Sequence, residues 1–295
     1  MTGRGGAWRR RRVARLPRLS VSKAANDGVL KKIAPSEIKF QCSIYADDAI
    51  LFIRPSIQEA RAVKEILSIF GQITGLHTNL AKCSVTAVYG GDDVLPEIVS
   101  ILGCQVQTFP IKYLGLPLST KSIPKTHYQS LVQAVDRKLP TSHGSLMARS
   151  GRLVWVKSVL RAVPIYAMMA ENLPTWARKE IDGICRRFFW AGKDQSVRGK
   201  CMVAWKACCR PKELGGLGIS DLKLAGFALQ TRWLWLQRTD QDRVWNQLPI
   251  QTSKEVQAFF RASTFTKLGD GRNALFWEDR WIDGEDVATI APYLH

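Results

Sequence analysis

The hydrophobic period of this chain changes once along its length, and that change limits the fold more than any single motif does. Before residue 125 the apolar residues fall in short alternating runs. Phe40, Cys42 and Ile44 alternate with Gln41 and Ser43, and Ile50 and Phe52 alternate with Leu51 and Ile53. A period of two is the mark of half-buried strands. Beyond residue 125 the stripes are helical. Tyr128, Leu131, Val135 and Leu139 form one that stops at Pro140. Leu153, Val156, Leu160 and Val163 form a second, and Ala177, Ile181, Ile184 and Phe188 a third that stops at Gly192. A fourth runs through Leu222, Ala225, Leu229, Trp233 and Leu236. Strand, turn, strand, helix, strand before residue 125, with helices beyond it, is an α+β pattern.

Within the strand-rich part, "SIQEARAVKEILSIFGQITG" carries Ile57, Ala60, Val63, Ile66, Leu67, Phe70 and Ile73 at helical spacing. Ser56 and Glu59 are spaced as a capping box, and Gly75 is a stop, so a helix is expected between them. A strand-like "KCSVTAVYG" and a short helix from Pro96 to Leu102 follow. The punctuated "TFPIKYLGLPLS" then suits a tight hairpin.

Between the first two strands stand Asp47 and Asp48. Adjacent carboxylates repel, and a fold tolerates them where water or a cation compensates. At the tip of a hairpin two acids supply the hard oxygen ligands that Mg²⁺ takes from a protein, together with substrate phosphates. The plainer reading of the same residues is an Asp-Asp turn, since aspartate bonds its own backbone there.

Charge narrows the field of partners. Forty-three Lys and Arg against 25 Asp and Glu give +18 over 295 residues. Such an excess is the footprint of a protein that meets phosphate backbones. Half of it is local: the first 40 residues hold seven Arg and four Lys against Asp27 and Glu37, a net +9. Residues 1–36 are expected to form a basic disordered tail. It suits a nucleic-acid-binding arm, a nuclear address or an organellar transit peptide, or it is a solvated tail with no role. No apolar run reaches the length of a membrane span, so an intracellular protein without a membrane partner is expected, with the nucleus favoured. Seven cysteines without a C-x-x-C pair, and only four histidines, read as free, mostly buried thiols rather than a zinc site.

The second and third helical stripes place Arg149, Arg152, Lys157, Arg161, Arg178, Lys179, Arg186 and Arg187 on their expected solvent faces, with Trp155 and Trp176 nearby. Basic residues interleaved with rings suit a nucleic-acid groove, in which cations neutralise phosphates and rings stack on bases. Basic surface faces over a tryptophan-containing core explain the same pattern without a ligand. "ELGGLGIS" lacks the spacing of a dinucleotide loop and reads as a loop entering a helix at Asp221. "KLGDGRNALFWEDRW" reads as an aromatic-rich turn.

Three segments in order then carry a resemblance. Tyr45-Ala46-Asp47-Asp48, Gly75-Leu76-His77-Thr78-Asn79-Leu80-Ala81-Lys82, and Tyr113-Leu114-Gly115-Leu116-Pro117 resemble the last three palm motifs of reverse transcriptases from LINE-type (non-LTR) retrotransposons, especially plant ones. "ARSGRLVWVKSVLRAVPIYAM", "RRFFWAG", "CCRPKELGGLGISDLKLAGFAL" and "LGDGRNALFWEDRW" look like the region after the palm in those elements, and the likeness covers roughly 37–290.

The resemblance implies an α+β fold in which a partial polymerase palm (acidic β-hairpin, helix and strands, 37–120) precedes a thumb-like helical region (121–192) and a C-terminal helical region (193–295). It makes Asp47 and Asp48 the catalytic, metal-binding acids. Lys82, the turn Tyr113, Leu114 and Gly115, and Arg149, Arg152, Lys157 and Arg161 become contacts to RNA or an RNA–DNA hybrid. The implied chemistry is transfer of a deoxynucleotide from its triphosphate to a primer hydroxyl with Mg²⁺. The family's first catalytic aspartate and its fingers lie well upstream of the acidic hairpin, whereas 46 residues precede Asp47 here. A catalytically incomplete polymerase fragment with weak or vestigial Mg²⁺ affinity is therefore expected, and a deoxynucleoside triphosphate is a partner only if the enzyme is complete. A non-catalytic module that binds RNA or a hybrid is the alternative.

Overall fold

The structure is a computed structural model that describes residues 28, 30, 31, 33, 42–46, 48–140, 146–192, 201–240, 250, 252–272 and 274–294. Most of the basic segment expected as a tail therefore lies outside the described residues. The chain divides into two compact units, Met1–Ile123 and Pro124–His295.

The first unit is mixed. Strands β1 (Cys42–Tyr45) and β2 (Asp48–Leu51) pair antiparallel, Cys42 opposite Leu51 and Tyr45 opposite Asp48. That register puts Cys42, Ile44 and Leu51 on the face that packs on the core with Ile53. Ser43, Tyr45, Asp48 and Ile50 fall on the other face, because successive side chains alternate. Helix α1 (Ile57–Thr74) follows, capped by Ser56, whose hydroxyl accepts from Glu59 N–H at 3.5 Å, and stopped by Gly75 at φ 72°. The 3₁₀ turn Leu80–Lys82 leads into β3 (Ser84–Val85), helix α2 (Leu95–Leu102) and β4 (Gln105–Val106), which pairs parallel with β3. Strands β5 (Ile111–Tyr113) and β6 (Leu116–Leu118) close a hairpin on Leu114 and Gly115, both at positive φ (51° and 83°), as a type I′ turn requires. One small core of Leu30, Cys42, Ala60, Val63, Ile98, Leu102 and Cys104 joins the β1–β2 hairpin, α1, α2 and the start of the β3–β4 pair.

The capping box differs from expectation in one useful way. In that motif the third helical residue returns to the N–H of the cap. Glu59, 3% exposed, instead accepts from Arg54 N–H at 2.9 Å and Lys31 N–H at 3.1 Å. Its carboxylate ties the chain before the strands to the chain leaving them, so a helix-cap residue also fixes the path of the hairpin.

The second unit is helical: α3 (Lys125–Asp136), α4 (Arg149–Trp155), α5 (Ile165–Ala170), α6 (Thr175–Ala191), α7 (Trp205–Cys208), α8 (Leu222–Thr239), α9 (Lys254–Ser263) and α10 (Val287–Ile290). The third stripe is the most completely buried, with Ala177, Ile181, Ile184 and Phe188 all enclosed. Asp221 caps α8 by accepting from Lys223 N–H at 2.7 Å and Leu224 N–H at 3.3 Å, so the glycine run before it is the expected loop. The aromatic turn is also present. Phe276 packs on Trp277 and Trp281, and Trp281 Nε1 donates to Phe276 O at 3.0 Å.

Arg161 corrects the sequence expectation. A regular helix would carry it toward solvent, but Val156–Leu160 is a π-helical turn in which Arg161 N–H donates to Val156 O at 3.0 Å. A π turn holds more residues per revolution than an α turn, so every residue after it is rotated back relative to an α-helix. Arg161 is turned inward as a result and is 2% exposed.

Candidate functional site

The hairpin of β1 and β2 carries Asp48, one of the two acids expected to bind metal. Tyr45 and Asp48 are opposed at the last register position before the turn, on the outer face, and both are exposed. Ala46, in the turn, has φ 54°, a left-handed conformation that costs a non-glycine residue about 1–2 kcal/mol. Asp47 lies outside the described residues. Tyr113, at the end of β5, reaches the same outer face: its hydroxyl lies 3.3 Å from Ser43 Oγ, two residues before Tyr45. The structure thus brings the Tyr113 turn and Asp48 onto one face of one hairpin. Sequence reading had not singled out Ser43, although its parity on β1, shared with Tyr45, was the available signal. Lys82 ends the 3₁₀ turn after α1 with its side chain exposed. Among the described residues no cluster of three or more His, Cys, Asp or Glu is arranged to hold a metal ion.

In the second unit the predicted basic residues divide into two kinds. Arg149 is exposed and lies over the ring of Trp190, 5.5 Å from its centroid. Arg152 is half-buried and bonds backbone, with Nε donating to Met147 O at 2.9 Å and Nη1 to Trp190 O at 3.4 Å. Lys157 is half-buried in the π turn. Arg161 is enclosed: its Nη2 donates to Asp182 Oδ1 at 2.5 Å, and the same oxygen accepts from Trp205 Nε1 at 3.1 Å. On α6, Lys179 and Arg186 are exposed seven residues apart, and Trp190 follows four later. Those spacings place all three along one stripe of the helix. Arg149 over Trp190 extends the stripe into a basic surface with a half-buried ring in it.

Two further clusters shape the electrostatics of this unit. Around Arg161, burial pushes the Cys185 thiol up to about 11, with the guanidinium opposing the shift and Asp182 and Cys209 adding to it. Cys209 rises to about 11 for the same first reason. Both sulfurs are therefore protonated at neutral pH and poor nucleophiles. At the start of α3, His127 Nε2 stands 3.8 Å from Glu171 Oε2. Burial lowers the imidazole below its usual value, so it is neutral at pH 7 and the contact is not an ion pair. Burial raises the Glu171 carboxyl, and Tyr128 beside it is pushed up to about 12, first by burial and then by the Glu171 charge.

No helix among the described residues is long and apolar enough to cross a membrane. No protein-family profile matches the chain. Over 201 residues, 59% of its length, it is 24% identical to an Arabidopsis thaliana protein named "Putative ribonuclease H protein At1g65750". The matched stretch spans about a third (32%) of that relative. The chain is thus a mixed α and β protein with a distant plant relative named for ribonuclease H.

Proposed function

We propose that this chain is part of an RNA-directed DNA polymerase of the non-LTR retrotransposon type, with its metal-binding acids on the first unit and a nucleic-acid-gripping surface on the second. The observation that carries the reading is the outer face of the β1–β2 hairpin. Asp48 stands there beside Tyr45, and Tyr113 reaches the same face through Ser43. Of the three sequence segments that the resemblance links, the third thus touches β1 at Ser43, two residues before the first begins. Asp47 and Asp48 are the residues that would hold Mg²⁺, since carboxylates offer the hard oxygens this ion prefers and that of Asp48 stands exposed at the start of β2. A divalent ion held there would supply charge stabilisation at a triphosphate. The roles of this chain's other residues are positional. Leu114 and Gly115 form a two-residue reversal after Tyr113 whose backbone suits holding a primer end in register, and exposed Lys82 supplies a cation for phosphate.

The distant relative's name describes an enzyme class acting on RNA–DNA hybrids, and the same duplex is the product of reverse transcription. Hybrid binding without chemistry is a second reading. It is favoured by the stripe of Lys179, Arg186, Trp190 and Arg149, which supplies phosphate neutralisation and a ring. One experiment separates them. Fluorescence anisotropy of a labelled RNA–DNA hybrid, followed at several salt concentrations, is expected to show binding whose log K falls linearly with log salt. Primer extension on the same hybrid with Mg²⁺ or Mn²⁺ then distinguishes polymerase from binding module. Template-dependent extension abolished by Asp48→Asn would mark a complete polymerase site; the incomplete fragment is expected to bind without extension, and Mn²⁺ uptake that depends on Asp48 then separates it from a metal-free binding module. No salt-dependent binding would contradict both.

A further inference from the structure

The thiols of the first unit have no part in the reading above, yet two of them stand next to each other. We infer that Cys83 and Cys104 are an oxidation-sensitive pair, a modification site at which a peroxide joins their sulfurs in a reversible disulfide. The inference stands independently of the polymerase reading.

The pairing follows from strand register. Ser84 lies opposite Gln105 and Val85 opposite Val106 in the parallel pair β3–β4, so the residues immediately before them are neighbours. The backbone confirms it: Gln105 N–H donates to Cys83 O at 3.2 Å, and Gln107 N–H to Val85 O at 2.9 Å. Neighbouring strands lie about 4.8 Å apart. That is inside the Cα separation of about 4.4–6.8 Å that a disulfide spans. Side-chain direction agrees. Ser84 and Gln105 are exposed, and Ser84 Oγ donates to Gln107 Oε1 at 3.0 Å on that outer face. Cys83 and Cys104 have the opposite parity and belong to the same apolar cluster. Both sulfurs therefore leave their strands on one side.

The two thiols differ in access, and the difference sets the order of events. Cys83 is half-exposed and Cys104 is 9% exposed. Burial and then the charge of Cys83 raise the Cys104 thiol. Hydrogen peroxide reaches Cys83 first, converting its thiol to a sulfenic acid and releasing one water. Cys104 sulfur then attacks Cys83 sulfur, the hydroxyl leaves with the thiol proton as a second water, and the S–S bond forms. The net change is two thiols and one peroxide giving one disulfide and two waters. At present Cys83 S–H donates to Asn79 O at 3.4 Å, within the turn that carries Lys82. Oxidation removes that proton, so the turn exchanges its sulfur hydrogen bond for a covalent tie to β4.

Trypsin provides a direct reading, because the chain has no Lys or Arg between Lys82 and Lys112 and both cysteines fall in one peptide, 83–112. The folded full-length chain, dilute and treated with hydrogen peroxide, is quenched with iodoacetamide and mapped by mass spectrometry. The expected result is this peptide lighter by two hydrogens and unalkylated, returning to a doubly alkylated form after dithiothreitol. In Cys83→Ser, Cys104 is expected to remain a thiol through the same treatment, with circular dichroism showing the fold intact. Recovery of Cys83 as sulfinic acid, its linkage to another cysteine or another chain, or alkylation of both residues after peroxide would each overturn the inference.

Discussion

The two units handle charge in opposite ways. In the first, Asp48 stands exposed at a strand end, and Glu59, buried, bonds two backbone N–H groups. In the second, charged side chains are built into the interior. Arg161 is held by Asp182 at 2% exposure, and Asp279, 4% exposed, is held by Arg238 and accepts from Leu275 N–H at 3.0 Å. The difference teaches that a basic helix in a sequence is not a basic surface in a fold. Of the eight basic residues that the helical stripes put on solvent faces, Arg161 belongs to the core and Arg152 to backbone carbonyls, whereas Arg149, Lys179 and Arg186 stand exposed.

The comparison breaks hardest at the buried pair. Asp182→Ala removes the partner of an enclosed guanidinium and the acceptor of Trp205 Nε1, and is expected to cost about 3–5 kcal/mol in urea unfolding. Arg161→Met, which removes the charge with its partner left half-exposed, should cost clearly less. Equal losses from both would mean that packing, not charge, governs this site. In the first unit, Glu59→Ala strands two backbone donors and should cost about 1–3 kcal/mol, with the loss read by the same unfolding curves. A neutral result would show that water replaces the carboxylate there.

A smaller effect sharpens the comparison through pH. Tyr128 has a folded pKa of about 12 against an ordinary 10.0, so the folded state binds its proton more tightly. The associated stability is complete below pH 10 and is lost as pH rises toward 12. Tyr128→Phe cannot titrate, so its melting temperature should fall less steeply than wild type over that window, and parallel curves would refute the assignment. The smallest expected effect is on binding. Lys179→Ala and Arg186→Ala should each weaken hybrid binding evenly across sequences and reduce the salt slope by roughly one. Arg161→Met should leave the slope unchanged, as a buried cation touches no phosphate.

Much of the architecture could be read from the chain because short-range chemistry determines it. Ser56 and Gly75 bound α1 as their spacing indicated, Asp221 opens α8, and Leu114-Gly115 reverses the second hairpin. The α+β order of strands and helices follows from the change of period. What the sequence did not reveal depends on long-range placement. Glu59 was read as a cap, yet its partners Lys31 and Arg54 are on other segments. Arg161 was assigned to solvent because an α-helical period continues through Val156–Leu160, and the π turn that rotates it leaves no mark in residue type. Ser43 gained its meaning only when β5 arrived beside β1 with Tyr113, a contact 70 residues away in sequence.

The central claim is that the outer face of the β1–β2 hairpin is a metal site of the polymerase kind, and Mn²⁺, a spectroscopic stand-in for Mg²⁺, tests it most directly. Free Mn²⁺ is followed by electron paramagnetic resonance while the ion is titrated into wild-type protein and into Asp48→Asn, each with the same amount of RNA–DNA hybrid. The account predicts that wild type removes more Mn²⁺ from solution than the variant at every concentration, with hybrid binding itself equal in the two. Superimposable titrations would contradict it and leave Asp48 as an ordinary turn residue.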